Sequence, residues 1–181
     1  FSAVIAGKTL SELSKILSGE LEDLVYICFS HKYVLFEFDG TVVNSRLIEG
    51  EYYKVDQMLS NDYETKVVVN RRQFMDSIDR AQLLIRENEK KPIILNITDE
   101  QMNIRAMTSL GSLNEDIEIE KSGADILIGF NPRLLMDAIR VIDNEELNLY
   151  LFNPKAPCFI RDDEDSYLYL ILPVNFNASD Y

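Results

Sequence analysis

The chain has 181 residues, of which 46% are hydrophobic and 27% charged, the composition of a protein able to bury an ordinary core. With 31 acids against 18 bases the net charge is −13, which argues against indiscriminate adhesion to a phosphate backbone unless the bases are gathered on one face. No apolar run approaches the length of a membrane span and no secretory leader pattern opens the chain, so a cytoplasmic protein with no membrane partner is expected.

Phe1 followed at once by an apolar strand is the look of a sequence that begins inside a longer protein. Residues 3–7 (AVIAG) read as that strand and run into the helix KTLSELSKIL, with Thr9 as N-cap and Glu12 three residues on. Three strands are expected next, at 24–29 (LVYICF), 33–38 (YVLFEF) and 41–48 (TVVNSRLI), joined by His-Lys and Asp-Gly hairpins. Residues 49–64 (EGEYYKVDQMLSNDYE) have no steady period and read as an interdomain connector.

The pattern then recurs. KVVVN (66–70) leads into RRQFMDSIDRAQLL, with Asn70 as N-cap and Gln73 completing a capping box, followed by strands at 92–98, 102–107 and 115–120. ILIGF (126–130) leads through Asn131 and Pro132, an N-cap and a first-turn proline, into LLMDAIRVI. In that helix Leu134, Leu135, Ala138, Ile139 and Ile142 fall on one face, and strands follow at 147–152, 158–161 and 167–174. Thr9, Asn70 and Asn131 stand 61 residues apart, and equal spacing of strand–helix starts marks an internal repeat. The expected fold is α+β: three β-α-β-β-β modules, with antiparallel sheets covered on one face by helices. Residues 1–61 would be half of one domain plus the connector, and residues 62–181 a complete domain.

The chemistry-bearing residues point away from catalysis. His31 is the only histidine and sits in a turn, which excludes a Ser-His-Asp triad and a multi-histidine metal site. There is no phosphate loop, nucleophile elbow or CxxC, and neither a cofactor nor a metal is expected. Asp162, Asp163, Glu164 and Asp165 could attract a hard cation for a metal-dependent hydrolase, but a solvated hairpin tip is the simpler reading. Cys28 and Cys158, far apart in sequence, are expected as reduced thiols, with a disulfide as the alternative. Alternation places Glu118 and Glu120 on the face opposite Ile117 and Ile119. The helices carry Lys8, Lys15, Arg71, Arg72, Arg80, Arg133 and Arg140, and side by side they would line one surface with positive charge, with the acids left to strand tips and loops.

KTLSELSKIL, NSRLIEGEY, NRRQFMDSIDRAQLL, GADILIGFNPRLLMDAI and YLYLILPV, in this order along the whole chain, resemble the bacterial DNA polymerase III β subunit, the replicative sliding clamp. The resemblance implies a DNA-clamp fold with sheets outside and helices lining the inner surface of a ring. The chain would supply the C-terminal half of the middle domain and the whole third domain of a head-to-tail homodimer. It implies a non-enzymatic processivity factor that encircles double-stranded DNA without reading its sequence. Polymerase and clamp loader would be tethered through linear peptide motifs; a peptide-binding adaptor that does not act on DNA is the alternative. Matched position by position, the peptide pocket, between middle and third domains, would take Tyr53, Gln57 and Met58 from the connector. It would add Asn131, Leu134, Lys155, Pro157, Leu170, Ile171, Leu172, Pro173, Val174 and Asn175. The family often has Pro at the position of Tyr53 and Arg at those of Gln57 and Asn175. Lys8 matches a position near the duplex, and Lys15, Arg72, Arg80, Arg133 and Arg140 would share that DNA-facing surface. Leu83 and Leu84 match an apolar patch at the ring interface, with Glu115, Asp116 and Glu118 as its acidic companion. The ending FNASDY would be a tail extending past the usual terminus, near the pocket.

Overall fold

A computed structural model of the chain describes residues 2–19, 23–54, 59, 62–85, 91–164 and 166–177. It divides into two compact units, Phe1–Ser60 and Asn61–Tyr181. Gln57, Met58 and Asp165 lie outside the described residues, as do the last four residues of the tail.

Among its described residues the first unit holds one helix, α1 (Gly7–Ile16), and a three-stranded antiparallel sheet of β1 (Tyr26–Phe29), β2 (Tyr33–Phe38) and β3 (Thr41–Arg46) in that order. The Asp39–Gly40 joint between β2 and β3 has φ of 42° and 68°, the doubly positive backbone of a two-residue hairpin turn. Alternation on β2 sends Val34, Phe36 and Phe38 into a small core with Leu13 of α1.

The expected strand at 3–7 does not form. Residues 2–6 carry no secondary structure, and the Val4 carbonyl accepts a backbone bond from the N–H of Ile48, two residues past β3, at 2.9 Å. The helix starts before Thr9, at Gly7, and its N-cap Ala6 offers no side-chain acceptor. Thr9 Oγ1 instead meets Ser45 Oγ at 2.8 Å, tying α1 to β3. A hydroxyl that reaches the sheet is unavailable to cap its own helix, so the even 61-residue spacing of caps breaks in the first module.

The second unit follows the repeat closely. β4 (Thr65–Asn70) enters α2 (Arg71–Leu84), followed by β5 (Ile93–Thr98), β6 (Gln101–Thr108) and β7 (Gly111–Gly123). β8 (Ile126–Phe130) enters α3 (Pro132–Arg140), followed by β9 (Glu146–Leu151), β10 (Cys158–Arg161) and β11 (Leu168–Ile171). Both expected caps form: Asn70 Oδ1 accepts from the Gln73 N–H and Asn131 Oδ1 from the Arg133 N–H, each at 3.0 Å.

The eight strands make one antiparallel sheet in the order β11-β10-β9-β4-β7-β6-β5-β8. The two modules exchange their first strands: β4 pairs with β9 of the other module, and β8 pairs with β5. The sheet curls far enough for its ends to meet, because the Val174 N–H, just past β11, donates to the Gly129 carbonyl of β8 at 2.8 Å. Inside the curl, Phe74 and Ile78 of α2 and Leu135 and Ile139 of α3 are fully buried against the strands' inner residues. Leu134, expected on the buried stripe of α3, is exposed, and Met136 is buried in its stead. Gly123, at φ +99°, stands where a Cβ would lie 1.8 Å from the Glu64 carbonyl oxygen, so the start of β4 and the end of β7 require glycine there.

Candidate functional site

The two helices of the second unit run antiparallel, pinned at both ends by side chains that sequence reading did not single out for this. Arg71, at the start of α2, donates from Nε to the Ile139 carbonyl at 3.0 Å and from Nη2 to the Arg140 carbonyl at 3.2 Å. It thereby adds a partner to carbonyls at the C-terminal end of α3, where the Ile139 carbonyl also accepts from the Ile142 N–H at 3.3 Å. Gln82, near the other end of α2, donates to the Pro132 carbonyl at 3.1 Å. Arg71 is therefore a clamp between helices, whatever its charge contributes to the surface.

The outward face of this pair carries Arg72 and Arg80 on α2 and Arg133 and Arg140 on α3, all exposed. The same face carries exposed Asp76, Asp79 and Asp137, so the expected segregation of acids into strand tips and loops does not hold. Arg80 is moreover engaged. Its Nε and Nη2 each donate to Glu115 at 2.7 Å, and Nη2 also reaches Ser77 Oγ at 3.1 Å. The bond from Arg80 holds the Glu115 carboxyl below its ordinary range, against the burial that pushes it up. Arg80 and Glu115, expected at two different surfaces, thus form one bidentate pair. In the first unit Lys8 and Lys15 are exposed, and Lys15 pairs with Glu12 at 2.8 Å.

Leu83 is no core residue: it is 80% exposed at the last turn of α2. Leu84 turns inward toward the β6–β7 hairpin, where its Cδ2 lies 3.8 Å from a Cβ built on Gly111. Exposed Leu110 at the hairpin tip and Met107 on β6 add to the apolar surface of this end of the unit. Sequence reading missed both; the only signal was a leucine in a Ser-Leu-Gly turn, where a polar residue is usual. Asp116 and Glu118 are exposed on β7, Asp116 accepts from Asn103 at 2.7 Å, and Ile117 and Ile119 are buried as alternation requires.

The residues expected in the peptide pocket divide. The Cys158–Ile171 pairing of β10 with β11 places Pro157 and Leu172 side by side at the end of the ladder. The Val174–Gly129 bond carries the segment after β11 to within two residues of Asn131, so Leu172–Asn175, Asn131 and Leu134 share one edge of the unit. Leu172 is 62% exposed and Leu134 51%; Leu170, Pro173 and Val174 are half-buried and Asn175 is exposed. Lys155 is exposed on a loop folded by Asn153, whose Oδ1 accepts from the N–H groups of Lys155 and Ala156 at 2.9 Å. Ile171 differs from these neighbours, because the strand period turns its side chain into the core, where it is 5% exposed. The expected strand 167–174 ends at Ile171, and the stretch after it is irregular. Tyr53, in the first unit, is 77% exposed.

Two members of the acidic run are engaged locally. Asp162 accepts from the backbone N–H of Ser166 at 2.8 Å and from the Ser166 hydroxyl. Asp163 accepts from Tyr150 Oη at 3.4 Å and lies 3.6 Å from Lys66 Nζ. Among the described residues no three acidic, histidine or cysteine side chains converge on a point that could hold a metal ion. His31 is exposed, and Cys28 and Cys158 are free thiols, the first exposed and the second buried.

Residues 56–175 match the family profile for the DNA polymerase III beta subunit, C-terminal domain, and residues 1–54 that for its central domain. The chain belongs to the DNA polymerase III beta subunit family. It is 35% identical over 176 residues to a beta sliding clamp of Staphylococcus epidermidis, and 33% identical to one of Staphylococcus aureus; each match covers 96% of this chain and 46% of the relative. The chain thus spans about half the length of the curated relatives it matches. Among solved structures, a DNA polymerase sliding clamp from Bacillus subtilis superposes with a TM-score of 0.84 at 32% identity, over 98% of this chain and 47% of that one. A sliding clamp from Bartonella birtlesii bound to griselimycin superposes with a TM-score of 0.84 at 26% identity, over 96% and 47%. The curled antiparallel sheet with helices is accordingly the sliding-clamp fold. Among the described residues no helix is long and apolar enough to cross a membrane.

Proposed function

We propose that this chain is the C-terminal portion of a sliding clamp, a cytoplasmic, non-catalytic processivity factor of bacterial DNA replication. Residues 1–61 would be the second half of the central domain with its connector, and residues 62–181 the whole third domain. The observation that carries the proposal is family membership over both stretches, 1–54 and 56–175, in the clamp's own order.

The exposed helix face suits a protein that must hold DNA without gripping it. Arg72, Arg133 and Arg140 can meet phosphates, while Asp76, Asp79 and Asp137 keep the local field shallow. Such contacts position a duplex without reading its bases. Retention would come from topology, a closed homodimeric ring, and the tethered polymerase and clamp loader would gain effective concentration at the primer end. Exposed Leu83, with Leu110 and Met107 nearby on the same unit, supports an apolar ring contact, flanked by Asp116 and Glu118. Exposed Leu172 and Leu134 support an apolar seat for a partner's linear peptide, rimmed by Lys155 and Asn175. Burying such side chains supplies about 25 cal/mol per Å² before ordering costs.

The test is primer extension on a long circular template, with the whole protein and its clamp loader present or absent. The proposal predicts much longer products from a single polymerase binding event when the protein is present. Product length that does not respond to the protein would refute it.

A further inference from the structure

The seat for a partner's peptide, as proposed above, includes a segment with no regular structure: residues 172–177 follow β11 as irregular chain. What fixes that segment is therefore part of the site. Two contacts do so. The Val174 N–H donates to the Gly129 carbonyl at 2.8 Å, closing the curled sheet. Two residues later the Phe176 ring seats on the outer side of β8, and a Cβ built on Gly129 would lie 2.8 Å from Phe176 Cδ1, 2.9 Å from the Val174 carbonyl oxygen and 3.1 Å from Ile94 Cδ1. Ile94 pairs with Gly129 on the neighbouring strand and is 1% exposed, although it is absent from the main core cluster. Ile94, Gly129 and Phe176 thus form a separate apolar contact on the outside of the sheet, and only a residue without a side chain at 129 leaves room for it.

We infer that Phe176 is a positioning residue: seated on Gly129 and Ile94, it holds residues 172–175 in the shape that a partner's peptide recognises. This rests on the peptide-binding reading of that edge. Phe176 does not itself cover the seat, because Leu172 and Leu134 are 62% and 51% exposed. Phe176 braces the seat from behind. If Phe176 were removed, the binding-competent shape of 172–175 would be one among several, and apparent affinity would fall by the fraction of time it is populated.

The experiment uses the whole protein, griselimycin as probe, and three forms, unaltered, Phe176→Ala and Gly129→Ala, with Phe176→Leu as a fourth, rescue form. Calorimetric titration is combined with amide hydrogen exchange at Val174. The unaltered protein should bind the probe. Both variants should lose protection at Val174 by about ten-fold or more and bind griselimycin about ten-fold more weakly, while core amides of β5 and β6 keep their protection. A Phe176→Leu variant should restore most of both losses, because it refills the apolar seat. If the unaltered protein does not bind the probe, the peptide-binding reading falls. If it binds and Phe176→Ala binds equally well, the positioning role falls; if Phe176→Ala binds more tightly, the tail is a competitor of the ligand and the inference is reversed.

Discussion

The pairing of Arg80 with Glu115 can be measured by a double-mutant cycle with Arg80→Ala, Glu115→Ala and the double variant. Both hydrogen bonds are 2.7 Å long, a fork geometry that gives charge-assisted bonds near their best. The Arg80 side chain is nevertheless 52% exposed and that of Glu115 28%, so water and salt screen the pair. A coupling of about 0.5–1 kcal/mol is expected at low ionic strength, the upper part of the range for surface pairs, falling in 1 M salt as the Debye length shrinks to about 3 Å. Because the folded-state carboxyl titrates below its ordinary value of 4.5, the coupling should be complete above about that pH and fade as pH falls through the lowered folded value. Urea denaturation of the four proteins at pH 7 and again near pH 3 reads both effects. A coupling of zero at pH 7, or one that grows on acidification, would refute the pairing. If the proposed DNA-facing surface is right, the pairing also predicts that Arg80→Ala changes DNA affinity less than Arg72→Ala or Arg140→Ala.

The two thiols should separate cleanly. Burial pushes Cys158 up to about 12, so a thiol reagent at pH 8 should label exposed Cys28 alone in the native protein and both cysteines after unfolding; labelling of Cys158 in the native state would contradict its burial. Gly123→Ala should cost about 3 kcal/mol or more by chemical denaturation, since the new Cβ meets a backbone oxygen at a left-handed φ; a loss below 1 kcal/mol would mean the β4–β7 junction can relax. If the proposed peptide seat is right, Leu172→Ala should weaken binding of a partner-derived peptide by about ten-fold through lost apolar burial, without altering the melting temperature, because the side chain is exposed; unchanged affinity would remove Leu172 from the site.

Legibility from sequence followed the locality of the cause. Asn70 and Asn131 cap helices with their own side chains, and the cause lies within three residues of the effect. The Asp39–Gly40 turn is equally local. Thr9 looked the same on paper, but its partner Ser45 is 36 residues away, and nothing in the local pattern reveals that competition. The same holds at the surface. Arg80 reads as a solvent-facing helix cation until β7 brings Glu115 beside it, and Phe176 reads as loose tail until Gly129 of β8 is found beneath it. The core-facing side chain of Ile171, beside exposed Leu172, has a different cause. A family motif marks a contiguous run as pocket, whereas a strand's two-residue period sends alternate members to opposite faces.

Retention on closed against opened DNA tests the central claim most directly. The whole protein is loaded on a nicked circular duplex, unbound protein is removed, and one restriction cut is made while bound protein is followed in time. If encirclement holds the protein, it should persist on the circle through a rise in salt and leave within the time needed to slide to an end once the circle is cut. Release at the same rate from circular and linear DNA, set by salt alone, would contradict it.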